Sequence, residues 1–107
     1  MNNVDIISFE IISTVGMARS LYIEAIHSAK TGNFTEAQEK ISEGQEYFTK
    51  GHKAHFGLIQ QEADEEQEPV KINLILMHAE DQLMSAEAFG ILAQEFVDLY
   101  QLLQEKN

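Results

Sequence analysis

Cysteine is absent from the 107-residue sequence, which removes disulfides, thiol nucleophiles and thiolate metal sites in one step. Basic residues are scarce, with seven Lys and Arg against eighteen Asp and Glu, a formal charge of −11. That acidity repels phosphate backbones and anionic membrane surfaces, so it argues against a nucleic-acid partner and for a basic protein one. No uninterrupted apolar run approaches the roughly 20 residues that span a bilayer, and the N-terminus lacks the basic-then-apolar build of a signal peptide. The expectation is a soluble, cytoplasmic chain with no direct membrane insertion. Internal repeats, low-complexity tracts, strand-period segments and a glycine-rich phosphate loop are also missing, which leaves an all-α fold. Proline occurs once, at Pro69, where it closes the only charge run, Ala63-Asp64-Glu65-Glu66-Gln67-Glu68-Pro69.

What is present is helical periodicity in a chain of one-domain size, residues 1–107. From about Asn3 to Thr31, Val4, Ile7, Ile11, Val15, Ala18, Tyr22, Ala25 and Ala29 recur in steps of three and four, a sustained core seam. Ile6, Ile12, Ile23 and Ile26 widen that face, so the first helix is expected to touch two neighbours. Gly32 supplies the left-handed residue that follows many helix ends. Asn33-Phe34-Thr35-Glu36 then restarts the chain as a capping box, with Glu36 reaching back to the Asn33 backbone N–H. A turn this short makes helices one and two antiparallel. Gly44 and Gly51 lie on the seam of helix two, where close backbone approach offsets their cost of about 1 kcal/mol each. The third helix is expected from Val70, with Pro69 at its first position, to about Leu103.

Helix three carries two apolar stripes: Leu74, Met77, Met84, Ala88 and Ile91 on one, Leu76, Ala79, Leu83 and Ala86 on the other. An antiparallel three-helix bundle needs one of them, and an uncovered second stripe implies self-association. Asp81 falls in the middle of the first stripe. A carboxylate buried there without a cation or donor costs several kcal/mol. His78 stands beside the stripe at i, i+3 from Asp81, on the face it shares with Ile75, Gln82 and Ser85.

Other candidates have plainer readings. Glu24-Ala25-Ile26-His27 matches the Glu-x-x-His of di-iron bundles, but such sites need a second copy that the chain lacks. His52 and His55, three apart, suit either a shared metal or partly buried hydrogen-bonded roles, and no carboxylate stands next to them in sequence. A neutral His78 imidazole is a competent nucleophile near pH 7, and Gln82 can donate to an anion carried on it.

Five segments resemble a known family in order along nearly the whole chain: Gly16-Met17-Ala18-Arg19-Ser20, Glu24-Ala25-Ile26, Ala29-Lys30-Thr31-Gly32-Asn33-Phe34, Leu58-Ile59-Gln60-Gln61-Glu62-Ala63 and Met77-His78-Ala79-Glu80-Asp81-Gln82-Leu83-Met84. The family is the IIA component of the lactose/cellobiose-type sugar phosphotransferase system, which also serves N,N'-diacetylchitobiose. The resemblance implies a three-helix bundle that forms a homotrimer, accepts a phosphoryl group from HPr and passes it to the IIB component, and through it to IIC. It makes His78 the phosphoryl acceptor. It makes Asp81 the ligand of a divalent cation such as Mg²⁺ at the trimer axis, where three carboxylates about 5 Å apart would otherwise repel by roughly 10 kcal/mol in total. The sugar implied is a β-linked disaccharide of the cellobiose or lactose type.

The chain departs from the family pattern at four places. Glu80 and Gln82 replace the usual glutamine and histidine, and His55 and Phe56 replace glutamine and threonine. Gln82 keeps a hydrogen bond but not a positive charge, Glu80 adds a negative charge within a turn of His78, and His55 is a candidate donor if helix two presents it. The competing class is a non-catalytic helical adaptor or regulatory module that binds a basic partner. That reading leaves Asp81 without a purpose.

Overall fold

The computed structural model describes residues 3–106. It holds three helices, α1 (Asn3–Lys30), α2 (Phe34–Ala63) and α3 (Leu74–Glu105), with no strand among the described residues. They form an elongated bundle of 60 × 23 × 18 Å.

The α1 seam behaves as its spacing requires, since Val4, Ile11, Val15, Ala18, Tyr22, Ala25 and Ala29 are all buried. α1 packs along both other helices, whereas α2 and α3 meet over a shorter stretch. By length and composition α1 is also apolar enough to cross a bilayer. Counting uninterrupted runs overlooks this because Asp5, Glu10 and Arg19 break them, and the central helix of a bundle meets the same measure.

α1 ends in a Schellman motif. Gly32 takes φ +83°, its N–H donates to Ala29 O at 3.0 Å, and the Asn33 N–H donates to Ser28 O at 2.9 Å. That last bond alters the expected capping box. The Asn33 side chain does accept from the Glu36 N–H at 3.2 Å, but its own backbone N–H is already engaged, so Glu36 instead accepts from the Asn33 amide at 2.7 Å.

Both seam glycines of α2 serve close approach. A Cβ at Gly44 would lie 2.7 Å from the Tyr22 ring, and one at Gly51 2.7 Å from Val15 Cγ1. The two helices could not pack this closely with alanine at either position.

The start of α3 differs from expectation. Pro69, Val70, Lys71 and Ile72 are not helical, and Asn73 is the N-cap, accepting from the Leu76 N–H at 2.9 Å. Two contacts hold the segment extended. The Val70 N–H donates to Glu62 at 2.9 Å, and the Asn73 amide donates to Asp5 at 2.8 Å, which ties the cap to α1.

On α3 the inner stripe is the covered one: Leu76, Ala79, Leu83 and Ala86 are at most 5% exposed. The outer stripe faces outward, with Leu74, Met77, Met84 and Ile91 at 81, 57, 64 and 62% exposure.

Candidate functional site

Glu80, Asp81 and Gln82 are consecutive, so the 100° turn per residue sends their side chains in three directions. Gln82 leans toward α1, where its Oε1 accepts from Arg19 Nη1 at 2.7 Å. Glu80 leans toward α2, where its Oε1 accepts from His55 Nε2 at 2.8 Å. Asp81 points away from both, is exposed on the outer stripe, and has no hydrogen bond or ion pair with any other described residue. Its lack of a partner is tolerated in one chain because water solvates it. Covering the stripe would remove that solvent.

His78 is exposed one turn before Gln82, on the border between the outer stripe and the α1 flank. Its ring has no partner among the described residues, so both nitrogens are open to an incoming group. His78, Asp81 and Gln82 therefore form one neighbourhood. His55 does not join it within a single chain: it is bound to Glu80, and a side chain two residues on from His78 projects about 200° around the helix. His55 is a candidate donor if helix two presents it, and within one chain helix two presents it to Glu80.

Residues 6–101 match the family model for the lactose/cellobiose-specific IIA subunit of the phosphotransferase system. The chain belongs to this family. It is 37% identical over 101 residues to the lichenan-specific phosphotransferase enzyme IIA component of Bacillus subtilis, covering 94% of this chain and 90% of that one. With the lactose-specific EIIA component of Staphylococcus epidermidis it shares 31% identity over 99 residues, 92% of this chain and 93% of the relative. Among solved structures, the cellobiose-specific enzyme IIA from Bacillus anthracis superposes with a TM-score of 0.94 at 38% identity, covering 100% of this chain and 96% of that chain. The IIA(chitobiose) structure solved in complex with HPr from Escherichia coli gives a TM-score of 0.81 at 27% identity, covering 97% and 99%.

Within this IIA frame the remaining candidates fall away from the site. Glu24 faces Lys40 at 4.0 Å and His27 is exposed nearby, so that pair does not point inward as a di-iron ligand set must. His52 is exposed, with its ring 6.0 Å from that of Phe48. No group of three His, Asp or Glu side chains able to hold a metal occurs among the described residues of a single chain.

The residue that sequence reasoning passed over is Arg19. It was visible as the only arginine in the chain, within a matched segment, but nothing local announced that it reaches 63 positions along to Gln82.

Proposed function

We propose that this IIA protein is the phosphocarrier of a sugar phosphotransferase system, with His78 accepting the phosphoryl group from phospho-HPr and handing it to IIB, which serves the membrane component IIC. The observation that carries the assignment to His78 is its environment: it is the histidine with an exposed, unpartnered ring one turn from a side-chain amide whose oxygen is already held. An unprotonated ring nitrogen of His78 attacks phosphorus, a new N–P bond forms, and the N–P bond to the donor histidine breaks. The released donor imidazole regains its lone pair. Onward transfer repeats this with the acceptor of IIB as nucleophile. Such a loose transition state asks for position and for donors to the equatorial oxygens rather than for new covalent chemistry. Gln82 supplies donors. The chain's excess of acidic residues suits partners that present a basic docking surface, and offsets nothing of the phosphoryl charge itself.

The same reading includes a homotrimer closed through the outer stripe, supported by the exposure of Leu74, Met77, Met84 and Ile91. Copies meeting there bring their Asp81 carboxylates together. An oxygen-only donor set of that kind suits Mg²⁺, which would offset the gathered negative charge and would take no part in the transfer. A β-linked sugar is the substrate class, in line with the lichenan, cellobiose and oligo-β-mannoside names of the relatives, and the work is cytoplasmic.

The test is incubation with phosphoenolpyruvate, enzyme I and HPr. Acid-labile phosphate should appear on the wild-type chain and pass to a cognate IIB. Absence of label under conditions that charge HPr would refute the assignment.

A further inference from the structure

Resting on that reading of His78, we infer that Arg19 is a positioning residue for phosphoryl transfer, which fixes the orientation of the Gln82 amide and brings an uncompensated positive charge to the site. The carboxamide of a glutamine can be turned over with little loss of packing, and its two ends have opposite hydrogen-bonding character. Turned one way it offers a phosphoryl group two N–H donors; turned the other it offers an oxygen that repels it. Arg19 decides between them. A guanidinium has only donors, so its 2.7 Å contact with Gln82 is compatible with the oxygen alone. The Gln82 Nε2 hydrogens are thereby left for an incoming group, and none of the described residues takes them.

The charge has no rival claim on it. Arg19 is partly buried and makes no ion pair among the described residues, in a chain with eighteen Asp and Glu. An arginine that leaves its charge unpaired while binding a neutral amide favours an anion arriving next to that amide. The phosphoryl group on His78 is such an anion, one helical turn away.

A double-mutant cycle on phosphoryl transfer from phospho-HPr decides the matter. Arg19→Met keeps the aliphatic stem and removes the guanidinium. We expect it to lower kcat/KM about tenfold, Gln82→Ala to do about the same, and the double variant to lie within about threefold of the worse single. Arg19→Lys, which retains the charge and a donor-only head group, should recover most of the loss. Effects that multiply toward a hundredfold, or an Arg19→Met variant that lowers the melting temperature while transferring at the wild-type rate, would overturn the inference. The Gln82 side-chain amide signals in a ¹H–¹⁵N spectrum provide a readout that needs no phosphorylation. They should be a resolved pair in the wild type and move toward the free-glutamine position in Arg19→Met. Unmoved signals would refute the positioning role even if His78 proved not to be the acceptor.

Discussion

On the flank of α3 that faces α2, His55 gives its Nε2 proton to Glu80 at 2.8 Å; on the flank that faces α1, Gln82 accepts from Arg19 at 2.7 Å and His78 keeps its ring free. The two flanks lie within one turn of the same helix: the α2 side pairs a histidine of α2 with a polar α3 residue, and the α1 side sets a histidine and a polar residue of α3 beside an arginine of α1. They differ in which group the fold uses up. On the α2 side the imidazole itself is bonded, and its Nε2 holds the ring against a carboxylate. On the α1 side the bond is made by the amide, and the imidazole beside it is spared. A free histidine and an anchored donor make a transfer site, whereas an anchored histidine makes a contact between helices.

The strongest way to break this contrast is to remove one histidine at a time. His78→Ala should abolish acid-labile labelling while helicity stays intact, because the side chain is exposed and supports no packing. His55→Ala should label to the wild-type extent. Label that persists in His78→Ala, mapped to His55 or His52, would reverse the assignment of the two flanks.

Asp81 points along neither flank, and in the proposed trimer its effect would be on assembly. If the outer stripe closes a trimer, Asp81→Leu removes the gathered charge and the need for a cation together. Analytical ultracentrifugation with and without chelator should show a wild-type trimer that loosens when metal is withdrawn, and an Asp81→Leu trimer that does not. A wild-type chain that is monomeric in every condition, or an Asp81→Leu variant that dissociates, would place Asp81 elsewhere.

How far the sequence could be read divides along the same lines. The seams of α1 and α2, the glycine approaches at positions 44 and 51, and the split of α3 into a covered and an uncovered stripe follow from periodicity, which is a local property. The start of α3 did not. Val70 and Ile72 continue an apolar pattern and Pro69 suits a first helical position, so a local reading begins the helix there. The capping amide of Asn73 is bonded to Asp5 and the Val70 N–H to Glu62, partners 68 and 8 residues away, and these contacts delay the helix by a turn. His55 and Arg19 are cases of the same kind. Their chemistry is legible in the residue type, but which α3 side chain each one meets depends on how three helices rotate against one another.

A smaller effect is expected from placing at position 82 the imidazole that the family resemblance implies there. Beside Arg19 the new ring would accept the guanidinium proton on one nitrogen and donate from the other, the same pattern the amide already provides. The neighbouring positive charge disfavours its protonated form. Gln82→His should therefore change the transfer rate by no more than about threefold. A rise of tenfold or more would mean that the α1 flank lacks charge even with Arg19 in place.

The least effect should come from the pair on the other flank. His55 and Glu80 are close, but their side chains are 18 and 45% exposed, so solvent screens much of their attraction. A double-mutant cycle with His55→Gln and Glu80→Gln, followed by thermal or urea unfolding, should give a coupling of about 1 kcal/mol or less. Transfer to and from His78 should be unchanged in the His55→Gln variant, since the bond it loses lies on the opposite side of α3. A coupling above about 2 kcal/mol would make the contact a principal tie between α2 and α3. A tenfold fall in transfer in the His55→Gln variant would bring His55 back to the reacting group, through a neighbouring copy if not within one chain, and the two flanks would then have to be read as parts of one site.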